Sequence, residues 1–288
     1  MNYRHAFHAG NFADVHKHTV LVRVLLHLRL KPTAFRVIDT HAGSGRYDLR
    51  GAEATRAGEW HQGIERVWRA GEGGLGHDLM RPYLDAVTAL NPAGELRFYP
   101  GSPLIVQSLL RAQDRLIACE LEPVAAAALT TAMRGDRRCK ALTIDGWTAA
   151  TAYVPPPERR GLVLIDPPFE EASDFTQLSE ILAVAHRKWP TGSYLLWYPI
   201  KDRAAPDALA RQVRMLSVPN ILRCELTMAP ECDGGLVGSG LLVVNPPFTL
   251  ERDLRLLMSG LCPVLAPEAV ARTDWLAREQ GKEQGVGG

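Results

Sequence analysis

The groups best suited to chemistry in this chain are an acid, two prolines and an aromatic residue that follow a hydrophobic run. Asp166, Pro167, Pro168 and Phe169 come directly after the apolar stretch 161–165. Because a proline has no backbone N–H, its carbonyl can face a bound group without a competing donor beside it. The carboxylate of Asp166 can accept from an amine, and the ring of Phe169 offers a flat apolar face. These groups suit a flipped nucleobase with an exocyclic NH2, although a strand that merely ends in a proline turn would use the same residues.

Three further acids stand where other short apolar runs end, and in chain order they are Asp39, Glu120 and Asp145. If those runs are parallel strands, their carboxyl ends meet at one edge of the sheet, where doubly wound sheets bind ligands. An acid at the position of Glu120 can chelate the hydroxyls of a ribose. The acid after the next strand, Asp145, can accept from an adenine amine. Four acids along one edge therefore predict a site for a nucleoside.

A loop of small residues, 39–45, follows the first of these runs. Glycines in such a loop let the backbone approach a ligand closely. The loop lacks the GxxxxGK[ST] pattern of a phosphate-binding loop, so a nucleoside triphosphate is not expected. The spacing from this loop to Glu120 is far longer than the usual separation of about 20 residues, and an insertion between them would account for the excess.

The insertion is predicted over residues 49–96, where the alternation of strands and helices breaks and apolar residues recur at helical spacing. Two short helices bury too little apolar surface to fold by themselves and need the main body. We therefore expect a single domain over 1–275 that contains this insertion. The Gly- and charge-rich segment 276–288 is expected to be a flexible tail.

The hydrophobic pattern also predicts the elements that hold the four acids. Short apolar runs predict strands at 35–38, 116–119, 141–144, 161–165, 194–198, 221–228 and 240–244. Helices are expected at 11–28, 123–134, 174–188 and 203–216. This alternation predicts an α/β fold in which a mostly parallel sheet is covered by helices on both faces. The short Gly-rich link 233–240 predicts an antiparallel hairpin at the sheet edge for the last two strands.

Composition places the chain among ordinary globular proteins. It has 288 residues, of which 46% are hydrophobic and 23% charged, with a net charge of +1. The sequence contains no run of about 18 apolar residues, so no membrane span is predicted. The polar, His-rich start does not fit a secretory signal. Five scattered cysteines without a CxxC pair indicate reduced thiols. We expect a cytoplasmic protein with no membrane partner and, since no dimer stripe is evident, a monomer.

Basic residues crowd the first twenty positions, although the net charge does not by itself point to nucleic acid. The cluster comprises Arg4, His5, His8, His16, Lys17 and His18. From charge alone, a solvated polar end is the expected explanation. The aromatic residues Tyr3 and Phe7 among these cations would equally fit an RNA contact. No metal site is expected, because His16 and His18 face different ways on a helix and no HExxH or Cys/His spacing appears.

The chain resembles the RlmJ family, whose members are class I S-adenosylmethionine (SAM)-dependent 23S rRNA adenine-N6-methyltransferases. The resemblance runs nearly end to end. Its motifs are YRHAFHAGNFADVHKH at 3–18, DTHAG at 39–43, YPGSP at 99–103, DPPF at 166–169 and LWYP at 196–199. A [D/N/S]-P-P-[Y/F/W] tetrapeptide marks the catalytic corner of such amino-methyltransferases. The resemblance implies one Rossmann-like domain with a helical insertion, in agreement with the hydrophobic pattern.

The resemblance also implies roles for residues at matching positions. SAM would be contacted by His18, His41, Ser102, Glu120, Asp145, Gly146 and Asp166. Asp166 would also accept the amine proton, at a catalytic corner shared with Pro167 and Phe169. Tyr3 and Arg4 would lie against the RNA, and Phe169, often Tyr in the family, would stack on the flipped base without a phenol hydrogen bond. The substrate would be one adenosine of 23S rRNA, methylated before the ribosome is fully assembled.

Three other functions fit parts of the pattern. A DNA adenine-N6-methyltransferase would share the catalytic corner, although no target-recognition domain of the usual size is present. A protein glutamine methyltransferase typically has Asn at the position of Asp166. A catalytically silent RNA-binding or competence-related protein could keep the fold, although the intact strand-end acids argue against it. A second match to the tetrapeptide, 245–248, would need a permuted strand order and is more simply a turn that reverses the chain.

Overall fold

A sheet of eight strands forms the centre of the molecule in the computed structural model, which describes residues 4–71, 76–171, 173–228 and 235–278. The strands are β1 (Arg36–Asp39), β2 (Arg46–Asp48), β3 (Phe98–Pro100), β4 (Arg115–Cys119), β5 (Cys139–Leu142), β6 (Gly161–Ile165), β7 (Ser193–Ile200), β8 (Ile221–Thr227), β9 (Gly238–Val244) and β10 (Val270–Ala277). The order in the sheet is β10-β8-β9-β7-β6-β1-β4-β5, and β2 pairs with β3 in a separate small sheet.

Helices cover both faces of this sheet. They are α1 (Phe12–Arg29), α2 (Ala52–Ala57), α3 (Ile64–Ala70), α4 (His77–Ala89), α5 (Ser102–Leu109), α6 (Pro123–Ala132), α7 (Gly146–Ala152), α8 (Asp174–Lys188), α9 (Ala204–Met215) and α10 (Leu250–Leu265). Side chains alternate between the faces along a strand, so neighbouring residues of β1 serve different cores. Val37 packs in the cluster that includes α1 and α10, whereas Ile38 packs in the cluster that includes α8 and α9.

The directions of the strands confirm the mostly parallel sheet expected from the sequence. Strands β1, β4, β5, β6 and β7 run parallel. The predicted antiparallel hairpin is β8–β9, and β9 also pairs antiparallel with β7. The outermost strand on that side, β10, pairs antiparallel with β8 and was not expected, because most of its residues are exposed or half-buried. It ends at Ala277, within the segment expected as a tail, and residues 279–288 lie outside the described part.

The pairing register brings the strand-end acids to one edge of the sheet. Asp39, the last residue of β1, lies level with Ala118 of β4 and Leu164 of β6. Glu120 and Asp166 therefore emerge just beyond it, each two residues further along its own strand. The carboxyl ends of the parallel strands form one edge of the sheet, here named the carboxyl edge, and their starts form the opposite amino edge.

Helix α1 lies between the sheet and the helical insertion, and most of its surface is buried. Asn11 caps it, since its side-chain oxygen accepts from the backbone N of Asp14 at 3.0 Å. Helices α4, α5 and α10 and strand β9 pack around it. The expectation of a solvated basic end is therefore wrong for this helix: His16, Lys17 and His18 are 0%, 4% and 1% exposed.

The insertion expected over 49–96 contains α2, α3 and α4, and the strand pair β2–β3 closes its base. A glycine lets the insertion approach the start of α1, because a Cβ at Gly63 would lie 2.2 Å from the carbonyl oxygen of Gly10. The backbone N of Ile64 donates to that same oxygen at 2.8 Å. Within the described residues, no helix combines the length and the apolar character needed to cross a membrane.

Candidate active site

The carboxyl edge surrounds a cavity of about 290 Å³, here named the first cavity. Its wall comes from α1, the loop after β1, the start of α5 and the residues that follow β4, β5 and β6. The sequence-predicted donor-binding residues that line it are His18, His41, Ser102, Glu120, Asp145, Gly146 and Asp166. The fold therefore brings all seven together from distant parts of the chain.

The carboxylate of Glu120 is fixed by two backbone groups. One oxygen accepts from the backbone N of Gly43 at 2.8 Å, and the other accepts from the backbone N of Glu122 at 2.8 Å. A carboxylate has about four acceptor positions, so each oxygen keeps one for a ligand. The side chain thus ties the loop after β1 to the end of β4 and still faces the first cavity.

A close approach between two loops forms the far side of this cavity. Asp145 caps α7, since its carboxylate accepts from the backbone N of Thr148 at 2.7 Å. A Cβ on the next residue, Gly146, would lie 2.3 Å from the carbonyl oxygen of Thr40 and 2.5 Å from the ring of His41. Only a glycine fits there without moving this wall.

Two histidines that line the first cavity, His18 and His41, are neutral at neutral pH. Burial lowers the pKa of His18 to about 3, and its Nδ1 lies 2.7 Å from the hydroxyl of Tyr99. Burial likewise lowers the pKa of His41 to about 4, and its Nδ1 lies 2.8 Å from the hydroxyl of Thr40. Both rings therefore offer hydrogen bonds and shape, not charge.

Asp39 is a buried acid with one unsatisfied oxygen. One carboxylate oxygen accepts from the Ser102 hydroxyl at 2.7 Å, while the other has no partner among the described residues. Burial raises the pKa of Asp39 to about 7; Ser102 and Lys17 lower it in part, and the charges of Asp166 and Glu120 raise it further. A buried acceptor without a donor is costly. The unsatisfied oxygen of Asp39 belongs to the carboxylate that contacts Ser102, which lines the first cavity.

A second cavity, of about 650 Å³, opens beside the first. Its wall includes Phe169, Trp197 and Pro199 together with the polar residues His8, Glu59 and Lys201. The backbone φ of Phe169 is 49°, a conformation uncommon for a bulky residue. The ring of Phe169 lies 4.8 Å from that of Phe175 and 5.7 Å from that of Trp197, measured between centroids. The rings of Phe169 and Trp197, inclined at 71° to each other, give the second cavity an aromatic wall.

The two cavities meet at a shared wall. The residues that line both are His5, Lys17, Asp166 and Pro168. Asp166, the acid singled out from sequence, therefore faces a ligand in either cavity. Of these two cavities Phe169 lines only the second, so it would contact a methyl acceptor and not a methyl donor.

Lys17 is the cation at this wall, with a side chain 5% exposed. Its ammonium group lies 2.8 Å from a carboxylate oxygen of Asp14 and contacts Oδ2 of Asp166. Although burial disfavours its charged form, the charges of Asp14 and Asp166 raise the pKa of Lys17 above its usual value. The ammonium also lies 5.7 Å from the centre of the Trp197 ring, so one cation joins α1, the catalytic corner and the aromatic wall.

Asp14 holds this arrangement from behind. Its Oδ2 accepts from the backbone N of Gly10 at 2.9 Å and lies 3.0 Å from Nε2 of His5. Burial acts to raise the pKa of Asp14, but Lys17 and the nearby histidines hold it well below its usual range. The carboxylate is therefore ionised whenever Lys17 is charged.

Sequence reasoning assigned no role to Lys17, Asp14 or Trp197. A signal for the first two existed, since Asp14 and Lys17 are three residues apart on a helix and so share a face. In the sequence analysis, the charged residues of this helix are instead interpreted as part of a solvated polar end. Trp197 belongs to a motif quoted for the resemblance and to the predicted strand 194–198. Its position in the wall depends on how β7 pairs with β6 and β9, which no local pattern reveals.

Three predicted site residues lie elsewhere or outside the described part. Tyr3 is among the residues that the structure does not describe. Arg4 lines the first cavity and pairs with Glu53 at 3.2 Å. Pro167 is buried behind the corner, whereas Pro168 lines both cavities. The second tetrapeptide match, 245–248, follows β9 at the amino edge, where Asn245 donates to the carbonyl oxygens of the segment before β7.

Comparisons with known proteins agree on one family. The family model described as ribosomal RNA large subunit methyltransferase D, RlmJ, matches residues 32–277. A ribosomal RNA large subunit methyltransferase J from Escherichia coli K12 is 38% identical over 282 residues, which cover 97% of this chain and 100% of that protein. The protein of the same description from Haemophilus influenzae is 38% identical over 283 residues, with the same coverage.

A solved structure shares the fold along almost the whole chain. The crystal structure of a protein from Legionella pneumophila Philadelphia 1 superposes with a TM-score of 0.86 at 33% identity. The match covers 93% of this chain and 98% of that one.

Proposed function

The chain belongs to the RlmJ family of ribosomal RNA large subunit methyltransferases, and on that premise we propose that it methylates N6 of one adenosine in 23S rRNA, with SAM as the methyl donor. The observation that carries the proposal is the shared wall, where Asp166 and Lys17 separate two cavities of different character. Donor and acceptor would each occupy one cavity, and the methyl group would cross between them beside Asp166.

The first cavity fits SAM on chemical grounds. Its acids suit a ligand that carries positive charge, and the unsatisfied oxygen of Asp39 lies behind Ser102 in its wall. Glu120 has acceptor positions left for ribose hydroxyls, and the lack of a Cβ at Gly146 lets the loop that carries His41 pack against the start of α7 in the cavity wall. Bound there, SAM would supply an electrophilic methyl group carried on a positively charged sulfur.

The second cavity fits an adenine turned out of its RNA strand. Phe169 and Trp197 offer faces on which a base can stack, and stacking on aromatic side chains is worth about 1–3 kcal/mol per base. Asp166 and the carbonyl groups of the proline corner lie where an exocyclic amine would point. Lys17 contacts Oδ2 of Asp166, so Oδ1 is the oxygen available to that amine.

These residues address the main difficulty of the reaction. The N6 lone pair of adenine is delocalised into its ring, which makes the nitrogen a poor nucleophile. An amine hydrogen-bonded to Asp166 and to a proline carbonyl can develop charge on nitrogen and lose a proton to the carboxylate as the new N–C bond forms. Holding the nitrogen in line with the methyl group supplies much of the remaining rate advantage.

Lys17 would position Asp166 throughout this step. Its ammonium bridges Asp14 and Asp166, so the carboxylate cannot swing away from the wall without losing a buried ion pair.

The decisive experiment is methyl transfer from labelled SAM to protein-free 23S rRNA, to matched duplex DNA and to a release-factor-type protein. Label on a single rRNA adenine is expected, with turnover reduced about 10²–10⁴-fold in Asp166→Asn. Asp166→Ala should abolish transfer while SAM still binds. Label only on DNA or protein would refute the RNA assignment, and SAM binding without any transfer would favour a non-catalytic RNA-binding protein.

The same assay tests the stage of action. Protein-free 23S rRNA should be a better substrate than assembled large subunits, because the target base must leave its stack to enter the second cavity. Equal rates on both would contradict action before assembly.

A further inference from the structure

The segments that lead into the parallel strands are strongly basic. They are 28–36 before β1, 110–115 before β4, 133–140 before β5, 152–160 before β6 and 186–193 before β7. Together they contain thirteen Lys and Arg but only three acids, whereas the whole chain contains 33 Lys and Arg and 32 acids. The remainder of the molecule is therefore acidic on balance, and the small net charge conceals a separation of charge.

These segments lie side by side along the amino edge of the sheet. The backbone N of Arg36 donates to the carbonyl oxygen of Arg160 at 2.9 Å, and that of Leu116 donates to Arg138 at 2.9 Å. The backbone N of Arg115 donates to Phe35 at 3.0 Å. The basic residues thus form one continuous strip on the side of the sheet opposite to Asp166.

Part of this strip serves the fold. Its three acids are each held by an arginine, in the pairs Arg111–Asp114 at 2.8 Å, Arg138–Asp136 at 2.6 Å and Arg36–Glu158 at 2.9 Å. Arg111 and Arg160 also donate to carbonyl oxygens at and just beyond the end of α1, where helix carbonyls lack intrahelical partners. These arginines are anchors and would be unsuitable for a binding test.

One cation in the rest of the strip also has a structural contact of this kind, since Lys188 donates to the carbonyl oxygen of Thr151 at 2.9 Å. The exposed cations, here named the amino-edge surface, are Arg29, Lys31, Arg134, Arg137, Lys140, Arg159, Arg187 and Lys188. Among the described residues, none of these eight forms an ion pair with an acid. Like charges gathered on one face repel one another and attract a polyanion.

An exposed aromatic ring adjoins the same surface. Phe248 is 85% exposed, and its ring lies 5.7 Å from that of His27 near the end of α1. The turn that carries it is tied to the segment before β7 by Asn245. Cations beside an exposed aromatic face are the combination that single-stranded nucleic acid uses, through its phosphates and its bases.

We propose that the amino-edge surface binds phosphates of the rRNA that flanks the target adenosine, as a second contact remote from the active site. The identity of the polyanion rests on the proposed function. An rRNA is long enough to reach both edges of the sheet, whereas a single flipped nucleotide is not. The cations lie in four separate segments of the chain and not on one face of a single amphipathic helix, which disfavours a membrane surface as the partner.

The test compares two triple variants that each remove three charges. Arg134→Gln/Arg137→Gln/Lys140→Gln changes the amino-edge surface. Arg50→Gln/Arg69→Gln/Arg255→Gln is the matched control, since these arginines are also exposed but each pairs with a glutamate elsewhere on the surface. Affinity is measured across a salt series for a long transcribed 23S rRNA fragment and for a short hairpin around the methylated adenosine.

The amino-edge variant should bind the long fragment about tenfold more weakly than the wild type. Its slope of log K against log salt should be shallower by about 2–3, since each lost phosphate contact removes roughly 0.7–0.9. The short hairpin and the control variant should show neither change. Circular dichroism and SAM binding confirm that both variants are folded.

Unchanged affinity for the long fragment, or an equal loss in the control, would overturn the proposal. Binding of the wild type to phosphatidylglycerol vesicles that is lost in the amino-edge variant, with RNA affinity unchanged, would assign the surface to a membrane instead. These outcomes are read from binding. Failure of methyl transfer to any RNA would refute the proposed function separately, with the effect on long-RNA affinity still measurable.

Discussion

The two edges of the central sheet differ in the sign of their charges and in how those charges are held. At the carboxyl edge, Asp39, Glu120, Asp145 and Asp166 end the parallel strands, and backbone amides, Ser102 and Lys17 contact them. At the amino edge, the same strands begin after exposed lysines and arginines that no acid among the described residues neutralises. This difference matches the roles proposed for the two edges: charges that bind a small ligand must be fixed in place, whereas charges that bind a long polyanion need only be exposed. The net charge of +1 shows neither the separation of charge between the edges nor how the charges are held.

The largest difference between the two edges is expected in the free energy of unfolding, when one lysine is removed at each edge. Lys17→Met leaves the carboxylates of Asp14 and Asp166 without their shared cation, so we expect a loss of about 3–5 kcal/mol in the free energy of unfolding, together with loss of methyl transfer. Lys140 is exposed, and Lys140→Met should change that free energy by less than about 0.5 kcal/mol. Urea unfolding of both variants measures the difference, and equal stabilities would contradict the role given to Lys17.

A glycine substitution probes how tightly the carboxyl edge is packed. In Gly146→Ala the new Cβ would collide with the carbonyl oxygen of Thr40 and the ring of His41, so the dissociation constant for SAM should rise at least tenfold, or about 1.4 kcal/mol. Gly235→Ala is the control, because nothing lies within 4 Å of a Cβ there. Calorimetric titration with SAM compares the two, and unaltered SAM binding by Gly146→Ala would place the donor elsewhere.

The titration of Asp39 predicts how donor binding depends on pH. Its pKa is about 7 in the unoccupied protein, and a positively charged donor favours the ionised form. Between pH 7 and pH 6 donor binding must displace a proton, so the dissociation constant should rise by up to about tenfold per pH unit. Asp39→Asn should remove this dependence, and titrations from pH 5.5 to 8.5 would show whether it does.

The raised pKa of Asp39 also affects the stability of the protein. Donor binding should weaken as pH falls, whereas the contribution of Asp39 to stability is lost as pH rises. Because the pKa of Asp39 is raised from 3.8 to about 7 in the folded protein, the folded state binds the proton more tightly than the unfolded one. Its contribution to stability is complete below pH 3.8 and is lost as pH rises to 7. The melting temperature of Asp39→Asn should therefore fall less than that of the wild type between pH 5 and pH 8. A parallel fall in both proteins would reject the assignment.

The smallest difference between the two edges is expected when the phenylalanine of each tetrapeptide, 166–169 and 245–248, is replaced by alanine. Phe169→Ala removes a ring from the wall of the second cavity, and kcat/KM should fall by the equivalent of about 1–3 kcal/mol. Phe248→Ala changes only the amino edge and should weaken binding of the long RNA a few-fold at most. Comparable effects of both variants on the short hairpin would break the distinction between the edges.

The two tetrapeptides also show what local sequence can settle. Both tetrapeptides match the same short pattern. The residue with a positive φ is Phe169 in 166–169 and Asn245 in 245–248, so the backbone turns differently in the two segments. The strand-end position of Asp166 was predictable, because a buried five-residue run precedes it. Which edge each motif occupies follows from strand direction, and β9 runs antiparallel to β7.

The burial of α1 could not be predicted from its own residues. Polar and apolar residues are mixed around the helix, and a helix with Asp14, His16 and Lys17 normally keeps that face in water. They are buried because the insertion covers one side while β9 and α5 cover others, and those contacts come from distant parts of the chain. The role of Lys17 was missed for the same reason. In the sequence analysis no helix is predicted at α10, although Leu250, Leu254 and Leu257 recur there at helical spacing and local reasoning could have found it.

The burial of His16 determines when α1 can take its place as the chain is made. Its ring lies 3.0 Å from the hydroxyl of Ser239 and 3.3 Å from the sulfur of Cys224, partners that are 223 and 208 residues further along the chain. At about 5–20 residues per second, the first helix waits on the order of ten seconds or more for them to leave the ribosome. Until then its buried histidines and lysine remain in water, so this protein completes its active site only near the end of its own synthesis.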